Sequence, residues 1–314
     1  MDSVPFEFCL DVMGKLQKKD YHYEKMAQTI TGRWKAAAQR YADNVCDFEV
    51  DLRCDEGKWS CTCIIDNDYY ISLDDLLAMS RRFVRCRAIN VNKELDDDDY
   101  TTCSKEVIFG RLLPLMVQQA HSHGALRFHR SLSREDARMC FDFFRSCKGF
   151  GFPDLELPYF GEESEQFLSV CLEHGLKCLT LDTSWSLSQA VENLILKYFT
   201  TRRSRWTWSR SDPSHSLKIN EPEGAENEEL STLISRRILE ITVNAWSEAD
   251  NNFFEVYSPW YGDLGPVLSI PVPPNVTRTE YKISEEYSVR WSKRNGCILF
   301  LFWNDHRLRL TAVA

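Results

Sequence analysis

No run of apolar residues in this 314-residue chain approaches the eighteen or so that a helical membrane span needs, so no membrane partner is expected. Positive charge is also in short supply. Asp and Glu number 47 against 38 Lys and Arg, a formal net charge of -9, whereas phosphate binding needs a basic footprint. Nucleic acid is therefore not an expected partner. The chain has no G-x-x-x-x-G-K-[ST] loop, no G-x-G-x-x-G after a strand, no G-x-S-x-G elbow and no H-E-x-x-H. The usual signatures of nucleotide binding, serine hydrolysis and zinc proteolysis are thus missing, and no catalytic residue, cofactor or metal ligand is assigned. His121, His123 and His129 lie close in sequence, as do Cys61 and Cys63, but no second cysteine pair follows at zinc spacing. The opening Met1-Asp2-Ser3-Val4-Pro5-Phe6-Glu7 is acidic and mixed, unlike a secretory signal, and the expected location is intracellular, cytoplasm or nucleus.

Cysteine is plentiful, at twelve residues, but scattered. Most copies sit at apolar-patterned positions, Cys61 and Cys63 on a strand and Cys140 and Cys171 on helices, so they are expected to be reduced core residues.

What the chain does have is repetition. One small pattern, a residue followed by apolar positions three and five further on, recurs at Cys86-x-x-Ile89-x-Val91, His123-x-x-Leu126-x-Phe128, Phe152-x-x-Leu155-x-Leu157, Leu176-x-x-Leu179-x-Leu181 and Arg203-x-x-Trp206-x-Trp208. Ile238-x-x-Ile241-x-Val243 is a sixth candidate. Steps of roughly 24 to 37 residues, with helical apolar spacing between, have the character of an irregular leucine-rich-repeat-like array. Strand, crossover helix, strand implies parallel pairing. Such an array makes surface for a partner.

The helical faces read as Ala137, Cys140, Phe141 and Phe144; Phe167, Leu168, Cys171 and Leu172; Leu187, Val191, Leu194, Ile195 and Tyr198; and Leu230, Leu233, Ile234 and Ile238. Ser72 and Ser133, each followed by Asp three residues on, read as helix caps, and Gly175 as a C-terminal stop. Pro114 should break or kink a helix over roughly 105–121. The acidic run Asp96 to Asp99 reads as a solvated loop, and 211–225 as a loop that includes a short strand at Leu217-Lys218-Ile219.

The two ends differ from the array. Phe8, Val12 and Leu16 step by four on a first helix, and Met26, Ile30, Trp34, Ala37 and Tyr41 continue on a second helical face. Phe48, Val50 and Leu52, then Trp59, Cys61, Cys63 and Ile65, alternate as a hairpin that caps the first end. Tyr287 to Trp291, Cys297 to Trp303 and Leu308 to Ala312 read as antiparallel strands that cap the other. The expected fold is thus α/β, with residues 1–45 a helical segment, 46–245 the hairpin and array, and 246–314 a β-rich cap.

Two features read as candidate binding surfaces. Arg203 and Arg205, with Arg202 and Arg210, surround Trp206 and Trp208, which are either buried on an array strand or a partner-binding surface. Stacking on nucleic acid is a third alternative. The second feature is the first helix.

The chain's opening, Met1-Asp2-Ser3-Val4-Pro5-Phe6-Glu7-Phe8, together with Trp34, the hairpin Phe48 to Ile65 with Trp59, Ile71-Ser72-Leu73 and Arg82-Phe83-Val84-Arg85, resembles a large family of nematode proteins. Those proteins join an F-box-like N-terminus to a leucine-rich-repeat-like region. The resemblance covers most of the chain through loose motifs. It implies a substrate-recognition adaptor of a cullin-type ubiquitin ligase, docking a Skp-type adaptor through Val4, Pro5, Phe8, Val12 and Leu16, with a target protein held by the array. Lys18-Lys19-Asp20-Tyr21-His22 is polar where an F-box carries apolar residues, and the alternative is that these helices only cap the array. A plain interaction module and an enzyme with a loop-built site are the other readings. An adaptor should leave Phe8 and its helical neighbours exposed as an apolar patch; a cap should bury them against the hairpin.

Overall fold

The computed structural model describes residues 4–16, 20–55, 57–66, 69–93, 100–148, 150–182, 184–186, 188–200, 216–220, 234–248, 255–259, 264–283, 286–304 and 307–313. The chain is α/β throughout and divides into two compact units, Met1–Phe152 and Pro153–Ala314.

The first unit opens with three helices where two were expected: α1 (Phe6–Lys15), α2 (Asp20–Thr29) and α3 (Gly32–Asn44). The second expected face divides at Ile30-Thr31, where Thr31 adopts an extended backbone. The three share a small core of their own, with Cys9, Leu10 and Met13 packed among Tyr23, Ala27, Ala37, Ala38 and Tyr41.

The strands β1 (Cys46–Asp55), β2 (Lys58–Ile65), β3 (Tyr69–Ile71), β4 (Val84–Asn92), β5 (Thr101–Cys103) and β6 (Ala120–Phe128) follow. Strict alternation of buried and half-buried residues along β1 matches its period-two sequence. The hairpin β1–β2 forms as its pattern predicts, with Phe48 opposite Ile65 and Cys54 opposite Trp59. It does more than cap, however. β1 pairs in parallel with β4, and β4 with β6, so the parallel sheet begins one strand earlier than the array pattern implies.

Helix α4 (Leu73–Ala78) is capped by Ser72, whose Oγ accepts from the Asp75 amide at 3.1 Å. The proline-containing segment is helical in three successive pieces. α5 (Lys105–Val107) runs into a π-helical turn, Ile108–Leu112, before α6 (Leu113–Gln118). Widening the turn ahead of Pro114 accommodates a residue that has no N–H and crowds the preceding carbonyls. The Ser133 Oγ accepts from the Asp136 amide at 3.1 Å and opens α7 (Arg134–Ser146). Ala137, Cys140, Phe141 and Phe144 of α7 are fully buried, with Phe141 set edge-on to Phe128 of β6, ring centroids 5.1 Å apart.

In the second unit strands and helices alternate: β7 (Asp154–Leu157), α8 (Glu162–Glu173), β8 (Cys178–Asp182), α9 (Gln189–Thr200), β9 (Ser216–Asn220), α10 (Arg236–Glu248) and β10 (Glu255–Pro259). β7, β8, β9 and β10 pair in parallel in chain order, and α9 lies between α8 and α10. Phe167, Leu168, Cys171 and Leu172 of α8 are buried, as are Val191, Ile195 and Tyr198 of α9, while Leu194 is half-buried. Gly175, at φ +87°, follows α8 as the expected stop. The parallel neighbour that follows β8 is β9, the short strand carrying Leu217 and Ile219. The sixth copy of the pattern is a correction. Ile238, Ile241 and Val243 lie on helix α10 and not on a strand, and Leu230 and Leu233 fall outside the described residues.

After α11 (Gly265–Leu268) come four antiparallel strands, β11 (Val276–Ile283), β12 (Glu286–Lys293), β13 (Ile298–Asn304) and β14 (Arg307–Val313). β14 pairs with β10, so the antiparallel group continues directly from the parallel strands and satisfies the edge they would otherwise expose. One buried row runs through the register of the unit: Leu155, Leu179, Leu217, Val256, Leu310, Leu301 and Val289. Fully burying side chains of this kind stabilises by about 1.5–3 kcal/mol each, before ordering entropy is counted.

Candidate partner-binding surfaces

Helix α1 divides its residues among three directions, as 100° per residue requires. Cys9, Leu10 and Met13 point into the three-helix core and are at most 4% exposed. Glu7 and Asp11 both bind Arg82, through Nη1 at 2.5 Å and Nη2 at 2.9 Å, which ties α1 to the turn before β4. Phe8, Val12 and Leu16 occupy the remaining side. Phe8 is 53% exposed, Leu16 is 40% exposed, and Val12 between them is half-buried. Pro5 is exposed, whereas Val4 is half-buried against the helical core, its carbonyl accepting from Arg33 Nη1 at 2.8 Å. One edge of the Phe8 ring rests near Trp34, centroids 6.3 Å apart and nearly perpendicular. Of the five residues singled out on this helix and at its ends, Pro5, Phe8 and Leu16 are therefore open, and Val4 and Val12 are half covered. The buried side of α1 packs on its companion helices.

The helical core connects to the sheet through aromatic rings and one buried arginine. Tyr23 stacks on Tyr41 with centroids 5.1 Å apart, and Tyr41 meets Phe83 edge-on at 5.0 Å. Burial, the largest cause, raises the Tyr41 phenol above its ordinary value, with a further push from Tyr23. Arg85 of β4 donates to the Tyr23 hydroxyl at 2.6 Å, and that hydroxyl donates to the Met13 carbonyl at 2.9 Å. α1 is thus held at its last turn by a two-step hydrogen-bond chain anchored in the sheet.

Arg203, Arg205, Trp206 and Trp208 lie outside the described residues, as do Asp96 to Asp99. Among the described residues no group of three or more His, Cys, Asp or Glu side chains is arranged to hold a metal ion. His129 is exposed and pairs with Ser131 Oγ at 2.8 Å. The thiols are free and mostly buried, and Cys61 Sγ lies 3.3 Å from Cys103 Sγ across the β2–β5 pair. Burial drives Cys103 up to about 12 and Cys54 up to about 12, far from the reactive range.

A surface that the sequence pattern hides lies on the antiparallel strands of the second unit. The run Ile298-Leu299-Phe300-Leu301-Phe302 is apolar throughout and reads as a strand buried on both faces. Only Leu299 and Leu301 are buried; Phe300 and Phe302 face the other way, their rings stacked with centroids 5.7 Å apart, and Phe302 is 46% exposed. Period-two alternation within a fully apolar run carries no signal of which set faces outward.

No helix among the described residues is long and apolar enough to cross a membrane. Comparison of the chain with protein-family models, curated proteins and solved structures gives no match.

Proposed function

We propose that the chain is a non-catalytic interaction protein, a substrate-recognition adaptor of a cullin-type ubiquitin ligase. Its first helix would dock a Skp-type adaptor and its repeated strands would hold a target protein. The observation that carries the reading is the division of α1, with Cys9, Leu10 and Met13 buried and Phe8 and Leu16 open on the other side. An amphipathic helix in a self-contained domain turns its apolar residues inward. One that is anchored on its inner side and still leaves a phenylalanine and a leucine outward offers a docking stripe, the form taken when one helix supplies anchors at i, i+4 and i+8. The anchoring by Arg82 and by the Arg85–Tyr23–Met13 chain supports it further, because a fixed stripe loses little entropy on docking.

The array is read as leucine-rich-repeat-like. In support, β7 to β10 run parallel in chain order, and α9 lies between α8 and α10, as helices do when each strand–helix unit stacks on the last. The nematode F-box-like family remains the resemblance under which this arrangement makes sense. No bond is made or broken by this chain on that reading, so no catalytic residue, cofactor or metal is assigned.

A second reading, a plain interaction module, draws on the half-burial of Val4 and Val12 and on the edge contact of Phe8 with Trp34. A pull-down with a panel of purified Skp-type adaptors separates the two. The natural chain should capture at least one adaptor, and a folded Phe8→Asp variant should lose it. Capture of none, by a chain shown to be folded, removes the ligase role.

A further inference from the structure

The large apolar side chains left exposed among the described residues are few, and three of them, Tyr281, Phe302 and Val313, share one face of the β11–β14 sheet. The other face carries the buried row and Trp291, so the sheet has one packed side and one open side. Tyr281, Ser288 and Phe302 stand in line across β11, β12 and β13. Adjacent strands lie about 4.8 Å apart, so the backbones of Tyr281 and Phe302 are separated by roughly 9.6 Å with Ser288 between them. Tyr281 and Phe302 thus bracket a slot at Ser288, where the strand between them carries only a small polar side chain.

The charge around the slot has the opposite sign to the chain as a whole. Arg290 follows Ser288 by two residues on β12, with its guanidinium 5.6 Å from the Phe300 ring centroid and its Nε donating to Ser292 Oγ. Arg309 lies directly opposite Phe302, and Arg307 opposite Asn304. Arg309 is neutralised by Glu255 at 2.6 Å. Arg290 and Arg307 make no ion pair with any described residue, and Glu286, at the start of β12, is the remaining carboxylate on this face of the four strands.

The geometry points to this open face as a docking site for an extended acidic peptide segment that inserts one bulky apolar side chain between Tyr281 and Phe302. Its carboxylates would meet Arg290 and Arg307. Aromatic and arginine side chains of this kind are the ones that dominate binding energy at interfaces. A single-stranded nucleic acid is the competing occupant of an aromatic sheet face flanked by arginines. The peptide is favoured because its carboxylates can be spaced to meet Arg290 and Arg307 alone, whereas a phosphate backbone carries a charge at every nucleotide and would also meet Glu286 and Glu255 on the same face. The inference rests on the reading of the chain as a partner-binding protein and is independent of ligase contact.

The test is fluorescence anisotropy on the full chain with four labelled probes. These are Glu-Glu-Phe-Glu-Glu, the same peptide with central Ser, Lys-Lys-Phe-Lys-Lys, and a uridine heptanucleotide. The acidic phenylalanine peptide should bind saturably, and the serine and lysine peptides at least about tenfold more weakly, as one lost anchor or reversed charge of 1.4 kcal/mol or more dictates. Phe302→Ser and Arg290→Glu, both at solvent-facing positions, should each weaken that binding about tenfold, and Arg290→Glu should also improve the lysine probe. Phe8→Asp should leave all of it unchanged, so loss of adaptor capture and loss of peptide binding are read separately. Absence of saturable binding into the millimolar range, indifference to Phe302→Ser, or equal binding of the lysine probe would overturn the proposal. Preferential uridine binding that Phe302→Ser abolishes would assign the face to nucleic acid instead.

Discussion

The hydroxyl of Tyr23 stands between Arg85 and the last turn of α1, accepting from the guanidinium at 2.6 Å and donating to the Met13 carbonyl at 2.9 Å. Both Tyr23 and Arg85 are buried. Tyr23→Phe keeps the ring stack on Tyr41 but removes an acceptor from a buried cation and a donor from a carbonyl. A destabilisation of about 1–3 kcal/mol is expected, the range for leaving a buried polar group short of a partner. The urea midpoint measures it.

Gly14 of α1 tests how tightly the same core is closed. A Cβ there would lie 2.4 Å from the Tyr41 hydroxyl, and Tyr41 cannot swing aside because Tyr23 stacks on it and Phe83 meets its edge. Ala is the better helix former by about 1 kcal/mol. Overpacking costs about 1–3 kcal/mol and should outweigh that gain. Gly14→Ala is therefore expected to lower stability, and Tyr41→Phe in the same chain to recover part of the loss.

Asp51 sets a pH dependence. Burial, the largest cause, raises its carboxyl above the ordinary value of 3.8, although Asn90 Nδ2 donates to it at 2.6 Å and opposes the shift. A raised carboxyl binds its proton more tightly folded than unfolded. Its contribution to stability is present below the ordinary value and lost as pH rises through the folded value. Asp51→Asn, which keeps an oxygen for Asn90, should then be more stable than the natural chain at pH 7. The advantage should shrink as pH falls towards 4, in urea titrations at both values.

Burial also raises the thiols of Cys46, Cys54 and Cys103, to about 11, 12 and 12. Thiolate is the nucleophile, so alkylation by iodoacetamide at pH 8 should be much slower at these positions in the native chain than in urea. Peptide mass spectrometry reads each site, and native labelling at the unfolded rate would contradict their burial.

Much of the architecture was legible where sequence pattern and packing agree. The face Ala137, Cys140, Phe141 and Phe144 follows a serine cap and is buried as read, and the period-two stretch from Phe48 to Ile65 forms the expected hairpin. Short or ambiguous patterns were less informative. Ile238, Ile241 and Val243 are β-branched and fit the array motif, yet the buried set Ile238, Leu239, Thr242, Val243 and Trp246 follows the 3.6-residue period of a helix. β10 spans only Glu255–Pro259 and has one large buried aliphatic, Val256, too little alternation to stand out. On α1 the spacing located the stripe of Phe8, Val12 and Leu16 but did not say which way it faces. That depends on Tyr23, Tyr41 and the rest of the core that claims Cys9, Leu10 and Met13, residues distant in sequence.

The outward stripe on α1 is the central claim, and calorimetric titration of the chain into a purified Skp-type adaptor tests it most directly. Saturable binding by the natural chain, weakened at least about tenfold by Phe8→Asp and by Leu16→Asp with urea midpoints unchanged, is the predicted result. Binding that both variants retain in full, or no heat with any adaptor of the panel from a folded chain, would contradict it.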